Sequence, residues 1–439
     1  MATAQKVYID PQNVGLLGRT HHVFFNDDGF HNHASEQVSA SPATMINISL
    51  QIVHQILTLY STGANASHLQ KGFDDNTGYQ KPPMPSHQRV VEDLQTWDHA
   101  SKYLGKEQYY PDFLAFFQQE ISNKGWEAVV SEYLFAGTEA ADDLLVRLHG
   151  GIIHPLIQLM FGMEWKQPAV VAEALAQTCV HKDDLKELLY AAEKKASEAN
   201  GGEGASMPSI VSLLKETHDE LGLAKVSSGN RLWDWMRKGA PGEALRIISK
   251  VKVRPEEVEE KTAEMFDAVV FAAAGASFHP TKLNKFSFYL MHFVNVSPFY
   301  LTVNSQPWIP VETKARLLEW KIRLDLFHYA TIGAPDLSLE QIKAYKPKDS
   351  ATVSVSEFLS EFHPKDDDGH AVKLARAAAI CQETSKEYED RDWMLIKGDD
   401  TWAKVYHLIL DSVEGSGPKW VWCQGLDEAW KDIPDKPKL

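Results

Sequence analysis

Five histidines lie inside apolar, helix-forming stretches of this chain, and one of them is followed three residues later by a lysine. The histidines are His54, His149, His154, His292 and His370, and the lysine is Lys373. Burying an imidazole without a partner for each ring nitrogen costs roughly 2–7 kcal/mol. One such histidine alone would be a hydrogen-bonded core residue, but several of them suggest a common partner. Neutral imidazoles bind transition metals, so the pattern predicts a metal site.

His370 and Lys373 form the most specific pair, because a spacing of three places both side chains on one face of a helix. Two interpretations of Lys373 stay open. It extends its amine to solvent or pairs with one of the aspartates at 366–368. Alternatively, burial beside a cation keeps the amine neutral. A neutral amine can add carbon dioxide, and the resulting carbamate is an anionic oxygen ligand.

Composition bounds the partners and the compartment. The 439 residues carry a net charge of −16, which argues against nucleic acid or an anionic membrane as partner. Three widely spaced cysteines, Cys179, Cys381 and Cys423, exclude a Cys-x-x-Cys site and fit a reducing compartment. The N-terminus has no apolar signal core, and the longest apolar runs fall short of the ~20 residues that span a bilayer. We expect a cytoplasmic protein.

Helical periodicity dominates the elements that must position these side chains. It recurs at 44–62, 88–104, 110–121, 138–161, 167–178, 183–198, 207–216, 255–274, 281–297, 311–331, 370–387 and 400–412. Alternating strand patterns are scarce, and the best are 352–355 and 419–422. The prediction is an all-α protein, with residues 1–439 as a single large multi-helix body. Within it, we expect a flexible surface linker at 196–206 and a long loop at 344–368 that leads to His370.

Other chemistry finds little support. His-Glu-x-x-His, Gly-x-Ser-x-Gly, a Walker A loop and a dinucleotide fingerprint are all missing from the sequence. His181-Lys-Asp183 has the His-x-Asp spacing of some iron oxygenases, but it opens a charged helix. The aromatic and histidine-rich segment 21–33 has two interpretations, which are ordinary core with a polar turn or the wall of a pocket for a flat aromatic substrate.

The same residues resemble the fungal questin oxidase-like family over most of the chain. The resemblance rests on Phe30-His31-Asn32-His33, His54-Gln-Ile-Leu-Thr-Leu-Tyr, His154-Pro-Leu-Ile-Gln-Leu-Met-Phe, Phe288-Tyr-Leu-Met-His292, Lys314-Ala-Arg-Leu-Leu-Glu-Trp, Arg323-Leu-Asp and Asp368-Gly-His370-Ala-Val-Lys373. Two departures stand out. About eighteen residues, 34–51, separate the His-Asn-His element from His54, and Gln55 and Gln158 stand where relatives tend to carry histidine.

The resemblance implies an iron-dependent dioxygenase of polyketide metabolism that opens the central ring of an anthraquinone to a benzophenone. It implies Fe(II) as the cofactor and O2 as the co-substrate, with His54, His154, His292 and His370 as ligands. Lys373, as a carbamate, would be the fifth ligand. A His, Asp or Glu side chain would take the proton of the substrate phenol, and His149 and Glu164 are the candidates that support the ligands.

Two other functions stay open at the level of sequence. The first is an NADPH-dependent Baeyer–Villiger monooxygenase that acts on an anthraquinone, the activity attached to some relatives. The second is a non-catalytic helical binding protein that keeps the fold and binds no metal. Metal content and the need for NADPH distinguish the three.

Overall fold

The computed structural model describes residues 53–76, 85–199, 207–222, 235, 239–348, 354–367, 369–415 and 417–437. Within these ranges the protein is built from helices, and extended pairing is limited to two isolated bridges, Lys282 with Asp435 and Ser287 with Val421. The all-α prediction is therefore confirmed for the described part of the chain. Of the segment 419–422, suggested as a strand, Val421 alone forms a bridge.

Contacts along the chain group it into two compact units, residues 1–185 with 363–373 and residues 186–362 with 374–439. The first unit contains the following helices: α1 Val53–Ser61, α2 Ala66–Asp74, α3 Gln88–Asp93, α4 Tyr110–Lys124, α5 Trp126–Leu134, α6 Glu139–Leu148, α7 His154–Glu164 and α8 Pro168–Val180. Helix α18, His370–Ser385, begins in this unit and continues into the second. The grouping reflects the distribution of contacts, so a single domain over 1–439 stays a prediction.

The second unit contains the remaining helices. They are α9 Lys186–Ala199, α10 Ile210–Leu221, α11 Gly242–Ile248, α12 Val258–Gly275, α13 Phe288–Val296, α14 Phe299–Asn304, α15 Val311–Thr331, α16 Leu339–Ala344, α17 Val355–Ser360 and α19 Gly398–Val413. Short 3₁₀ turns join several of them in both units, at Trp97–Lys102, Glu107–Tyr109, Gly151–Ile153, Pro255–Glu257, Lys386–Tyr388 and Asp427–Trp430.

Helix α8 is the centre of the first unit, where it packs against α4, α6 and α7. Its residues from Val170 to Val180 are all buried, as expected for a helix that is apolar around its whole circumference. Gly162 lets α7 approach α8 closely, because a Cβ at that position would lie 2.9 Å from the backbone nitrogen of Val171. The close approach fixes α7, the helix that begins at His154.

Helix α15 has the same role in the second unit, where α10, α11, α12 and α13 pack against it. Its fifteen residues from Leu317 to Thr331 are all buried, although several of them are charged. Among these, Glu319 accepts a hydrogen bond from the backbone of Val253 at 2.9 Å, and Arg323 donates one to the carbonyl of Val251 at 2.8 Å.

Two segments predicted as irregular contain helix. Helix α9 continues to Ala199, so residues 196–199 of the predicted linker are helical, and 200–206 lie outside the described residues. Helix α17 lies inside the predicted loop 344–368. Its start is a capping box, in which Ser354 and Glu357 each accept the other's backbone N–H.

In the described part of the chain no single helix has the length and apolarity to cross a membrane. The helical segments Glu139–Leu148 and Gly151–Glu164 have the required length and apolarity only when they are taken together, and they are bent by 71° relative to each other.

Candidate functional site

His54 is the second residue of α1 and is almost completely buried. Its imidazole stacks on the ring of Phe161 in α7, with centroids 5.0 Å apart and planes inclined by 20°. Phe161 follows His154 by seven residues, which is two helical turns, so both lie on the same side of α7. The stack therefore orients the His54 ring against the helix that also carries His154.

His370 begins α18, and the residue before it, Gly369, lies directly against α1. A Cβ on Gly369 would lie 2.5 Å from Cγ of Gln55, and the φ of Gly369 is +73°, a conformation that favours glycine. Gln55 follows His54 in sequence. The contact therefore brings the backbone that carries His370 beside the backbone that carries His54. Lys373, one turn further along, is also buried, and its backbone N–H bonds to the carbonyl of Gly369 at 3.1 Å.

A turn in left-handed conformation separates His154 from α6. Gly151, Ile152 and Ile153 have φ values of +54°, +53° and +65°. A positive φ is an outlier for a β-branched residue, and such backbone costs of order 1–3 kcal/mol per residue. The continuous helical pattern predicted over 138–161 is therefore broken here. Pro155 follows within the first turn of α7, a position that proline tolerates well.

His292 lies on α13 in the second unit and is 1% exposed. Its ring packs edge-on against Phe288, with centroids 4.7 Å apart. Its Nδ1 lies 2.6 Å from the carbonyl oxygen of Phe288, one turn earlier in the same helix.

The hydrogen bonds of the imidazoles test whether these residues fit a metal ion. Nδ1 of His154 lies 2.8 Å from the carbonyl oxygen of Gly151, and Nδ1 of His370 lies 3.0 Å from that of Asp367. With His292, three predicted ligands share this arrangement. A carbonyl oxygen only accepts, so Nδ1 carries the proton and Nε2 keeps its lone pair. Metal-binding histidines commonly use this tautomer, and the donor set therefore fits a divalent transition metal.

The same hydrogen bond also occurs at His181, whose Nδ1 lies 2.6 Å from the carbonyl oxygen of Gln177. It is therefore compatible with ligation without being specific to ligands. Within the described ranges, no three His, Cys, Asp or Glu side chains are grouped so that they could hold a metal ion. The convergence of His54, His154, His292, His370 and Lys373 on one ion stays a prediction. His31 and His33 lie outside the described residues.

His149 and Glu164, the candidates for supporting roles, lie on either side of His154 in the chain. His149 is the C-cap residue that follows α6, is buried, and has Nδ1 2.8 Å from the carbonyl oxygen of Leu145, which places the lone pair on Nε2. Glu164 is the last residue of α7, ten residues after His154, and a helix rises about 15 Å over ten residues. The supporting roles of His149 and Glu164 stay predictions.

An aromatic stack beside His292 is a feature that the sequence did not reveal. The indole of Trp422 stacks on Phe288 with centroids 4.4 Å apart and planes inclined by 26°, and Tyr289 contacts the same indole edge-on at 5.6 Å. Trp422 is 40% exposed. Phe288 thus contacts both the exposed indole and the buried imidazole of His292. Residues 288 and 422 are too far apart in sequence for any spacing rule to relate them.

The sequence analysis also did not identify a buried set of titratable groups on α15. Lys321 Nζ lies 2.5 and 2.6 Å from the two carboxylate oxygens of Asp325, and the ring of His328 packs on Phe293 at 4.5 Å. Burial raises the pKa of Asp325 to about 6 and lowers that of Lys321. Burial, and then the charge of Lys321, lower the pKa of His328 to about 3. Part of the signal was present in the sequence, because the spacing of 321, 325 and 328 places all three side chains on one face of a helix.

Comparison with known proteins identifies a family and several relatives that match most of the chain. The model of the questin oxidase-like family matches residues 50–378. The oxidoreductase AflY of Aspergillus parasiticus is 32% identical over 94% of this chain and 86% of its own length. The questin oxidase of Aspergillus fumigatus is 31% identical over 94% of this chain and 91% of its own length. The Baeyer–Villiger oxidase ptaJ of Pestalotiopsis fici is 31% identical over 95% and 92%.

These relatives are named as oxidases and oxidoreductases, and their similarity extends over nearly the whole of each chain. The protein is thus of the oxidoreductase class. It belongs to the questin oxidase-like family, which confirms the resemblance inferred from its motifs.

Proposed function

We propose that this protein is a non-haem iron(II) oxygenase that opens the central ring of an anthraquinone to a benzophenone-type product in fungal polyketide metabolism. The observation that supports it most is the hydrogen bond from Nδ1 to a backbone carbonyl at His154, His292 and His370, which places the lone pair of each ring on Nε2. The name questin oxidase, carried by relatives over nearly the whole chain, supports the substrate class.

In this proposal His54, His154, His292 and His370 hold the iron, and Lys373 supplies an anionic oxygen as a carbamate. Iron(II), when bound, supplies the redox chemistry that lets O2 react with an organic ring. Lys373 is buried, and the neutral form of its amine is the form that would add carbon dioxide. A carbamate would give an otherwise all-imidazole donor set a negative charge.

The protein's own side chains have two further tasks in the reaction. The exposed indole of Trp422, stacked on Phe288, offers a flat apolar surface of the kind that an anthraquinone can stack on. His149, whose Nδ1 is bonded to a carbonyl, has a basic Nε2 and takes the proton of the substrate phenol. Removing that proton makes the ring electron-rich, and an electron-rich ring is more easily oxidised.

Metal analysis combined with oxygen consumption tests the proposal. We expect about one iron per chain, with O2 uptake that depends on an anthraquinone and needs no NADPH. The His370→Ala variant should lose both iron and O2 uptake. Wild-type protein that contains no metal after aerobic and anaerobic preparation, and that cannot be reconstituted with Fe(II), would refute the iron assignment.

Several relatives are named Baeyer–Villiger oxidase or monooxygenase, which favours Baeyer–Villiger oxidation as a second function. For this chain that function would be an NADPH-dependent oxidation of an anthraquinone. It predicts O2 uptake that stops without NADPH, and a product that contains one oxygen atom from 18O2 rather than two. A non-catalytic binding protein predicts anthraquinone binding with no O2 uptake under either condition. One set of oxygen-electrode and mass-spectrometric measurements therefore separates all three.

A further inference from the structure

The turn between α6 and α7 contains two consecutive isoleucines in a conformation that isoleucine rarely adopts. Ile152 has φ +53° and ψ +41°, and Ile153 has φ +65° and ψ +12°. In this region the β-branched side chain crowds its own backbone. Glycine would be the ordinary choice at both positions. The two isoleucines therefore keep a strained backbone that the surrounding structure must enforce.

Several contacts enforce the turn. The backbone N–H of Ile153 bonds to the carbonyl oxygen of Gly150 at 2.9 Å, and the Ile153 side chain is buried. A Cβ on Gly150 would lie 3.1 Å from the carbonyl oxygen of Arg147 and 3.3 Å from Cβ of His181, so the backbone here is held tightly. Arg147 in turn donates from Nη1 to the carbonyl oxygen of His181 at 2.7 Å. Both ends of the turn are thus fixed.

The turn determines where His154 points. His154 follows Ile153 directly, and its Nδ1 bonds to the carbonyl oxygen of Gly151, the first left-handed residue. A change in φ or ψ at Ile152 or Ile153 rotates that carbonyl relative to the imidazole, so the bond depends on the strained conformation. The packing of α7 on α8 lies beyond the turn, at Gly162 and Val171, and does not require it.

We propose that Ile152 and Ile153 are positioning residues, whose left-handed backbone holds the Gly151 carbonyl against Nδ1 of His154 and so aims Nε2 of His154 at the metal. This inference rests on the proposed function, because it concerns a predicted ligand. Isoleucine serves here because the contacts of Gly150 and Ile153 hold the turn in this conformation. Glycine at the same place would relieve the strain and let the turn sample several conformations.

Two variants at Ile152 separate strain from packing. Ile152→Gly and Ile152→Ala remove nearly the same side chain and differ mainly in backbone preference. At an ordinary position the glycine variant would be the less stable of the two. At a left-handed position we expect the reverse, with the Tm of metal-free Ile152→Gly at least about 2 °C above that of Ile152→Ala. A lower Tm for the glycine variant would show that Ile152 is not left-handed and would overturn the inference.

The metal affinities of the two Ile152 variants should rank in the opposite order to their Tm values. We expect Ile152→Gly to bind Co(II), used as a spectroscopic probe, about 10–100-fold more weakly than wild type, as happens when a group that orients a ligand is lost. Ile152→Ala, which keeps the restriction on φ, should stay within a few-fold of wild type. Equal Co(II) affinity of the glycine and alanine variants would overturn the positioning role.

A third measurement needs no metal. In metal-free protein labelled with 15N-histidine, the His154 signals, assigned by their absence in His154→Ala, should show one Nδ1–H tautomer in wild type and in Ile152→Ala. Ile152→Gly should give averaged shifts. If wild type binds no metal, the proposed function fails, but the tautomer comparison still decides whether the turn orients His154. A fixed Nδ1–H tautomer in all three proteins would reject the inference.

Discussion

Gly369 and Gln55 fit against each other so closely that no side chain can be added between them. A Cβ on Gly369 would lie 2.5 Å from Cγ of Gln55 and 2.8 Å from its Cβ and Cδ. The first of these residues precedes His370 and the second follows His54. A single steric contact therefore joins the two chain segments that carry these predicted ligands in the first unit.

Gly369→Ala should disturb this contact and the residue that follows it. The added methyl meets Gln55, and the positive φ is unfavourable for alanine, so we expect a loss of about 1–3 kcal/mol in the free energy of unfolding. Metal retention should fall as well, because His370 is the next residue. Denaturant unfolding and metal content after dialysis measure the two effects.

Gly63→Ala is a matched control for Gly369→Ala. Gly63 also has a positive φ, +85°, but a Cβ there would meet nothing within 4 Å. It should cost only the backbone penalty, about 1 kcal/mol, and leave metal retention unchanged. Adding Gln55→Ala to Gly369→Ala should recover part of the loss, because the atom at 2.5 Å is removed. Equal effects of the two glycine substitutions would mean that Gln55 and Gly369 are not in tight contact.

Substitutions of Lys373 distinguish a lysine that carries a carbamate ligand from a lysine that acts only as a cation. Lys373→Ala and Lys373→Arg should both lower O2 uptake by about 100-fold or more, because neither side chain can form a carbamate and the ligand is lost. An arginine keeps the positive charge and the long stem, so a lysine that merely reaches solvent would tolerate it.

Small carboxylic acids should discriminate further between the Lys373 variants. Formate or acetate can occupy the space left in Lys373→Ala, and we expect partial recovery of O2 uptake in that variant but none in Lys373→Arg, where the space is filled. Wild-type activity should also fall when carbon dioxide and bicarbonate are removed. Full activity of Lys373→Arg would assign the residue to a structural ion pair.

Most helices were predictable because their signals are local. The apolar period over 311–331 predicted α15 with its bounds unchanged, and 370–387 predicted α18 to within two residues. The failures are instructive in the same terms. The pattern over 138–161 is continuous in sequence, yet residues 149–153 leave the helix. Gly150 lies against His181 in this break, and periodicity contains no information about such a tertiary contact.

The candidate site likewise has features that local sequence predicts and features that depend on tertiary contacts. Burial of His54, His154, His292 and His370 followed from their apolar surroundings and is confirmed. For Lys373 the sequence left solvent exposure and burial open, and the structure shows the residue buried. The tautomer of three of the histidines depends on a carbonyl one helical turn earlier, which the sequence implies only once the helix start is known. The stack of Trp422 on Phe288 joins residues more than a hundred positions apart, and no local rule predicts such a pair.

The buried pair Lys321–Asp325 should show strong non-additivity. Lys321→Met leaves a buried carboxylate without its cation, and Asp325→Leu leaves a buried ammonium, so we expect each to cost about 3–5 kcal/mol in the free energy of unfolding. The double variant removes both charges and should lie much closer to wild type. Denaturant unfolding of the four proteins gives the coupling energy.

The pair Lys215–Asp219 is a matched control for Lys321–Asp325. It has the same i,i+4 spacing and the same N···O distance of 2.5 Å, but its side chains are 74% and 52% exposed. Solvent screening should reduce its coupling energy to below about 1 kcal/mol. Similar coupling energies for the two pairs would contradict the burial of Lys321 and Asp325.

His328 should make the stability of the second unit depend on pH. Its pKa is lowered from 6.5 to about 3 by burial and by Lys321, so the imidazole stays neutral in the folded protein over the range in which it becomes protonated after unfolding. The unfolded chain therefore binds more protons below pH 6.5, and stability falls as the pH falls from 6.5 towards 3. Between pH 6.5 and pH 5 the resulting loss in the free energy of unfolding is about 2 kcal/mol.

His328→Phe removes this titration while keeping a ring of similar size against Phe293. The raised pKa of Asp325 acts in the opposite direction, because its contribution is lost as the pH rises through about 6, but it is present in both proteins. The difference in unfolding free energy between wild type and His328→Phe therefore isolates the imidazole. We expect the variant to gain about 2 kcal/mol relative to wild type between pH 6.5 and pH 5, measured by denaturant unfolding at each pH. If this difference in unfolding free energy did not depend on pH, His328 would be protonated as easily in the folded chain as in the unfolded one. Its imidazole would then be solvated in the folded protein.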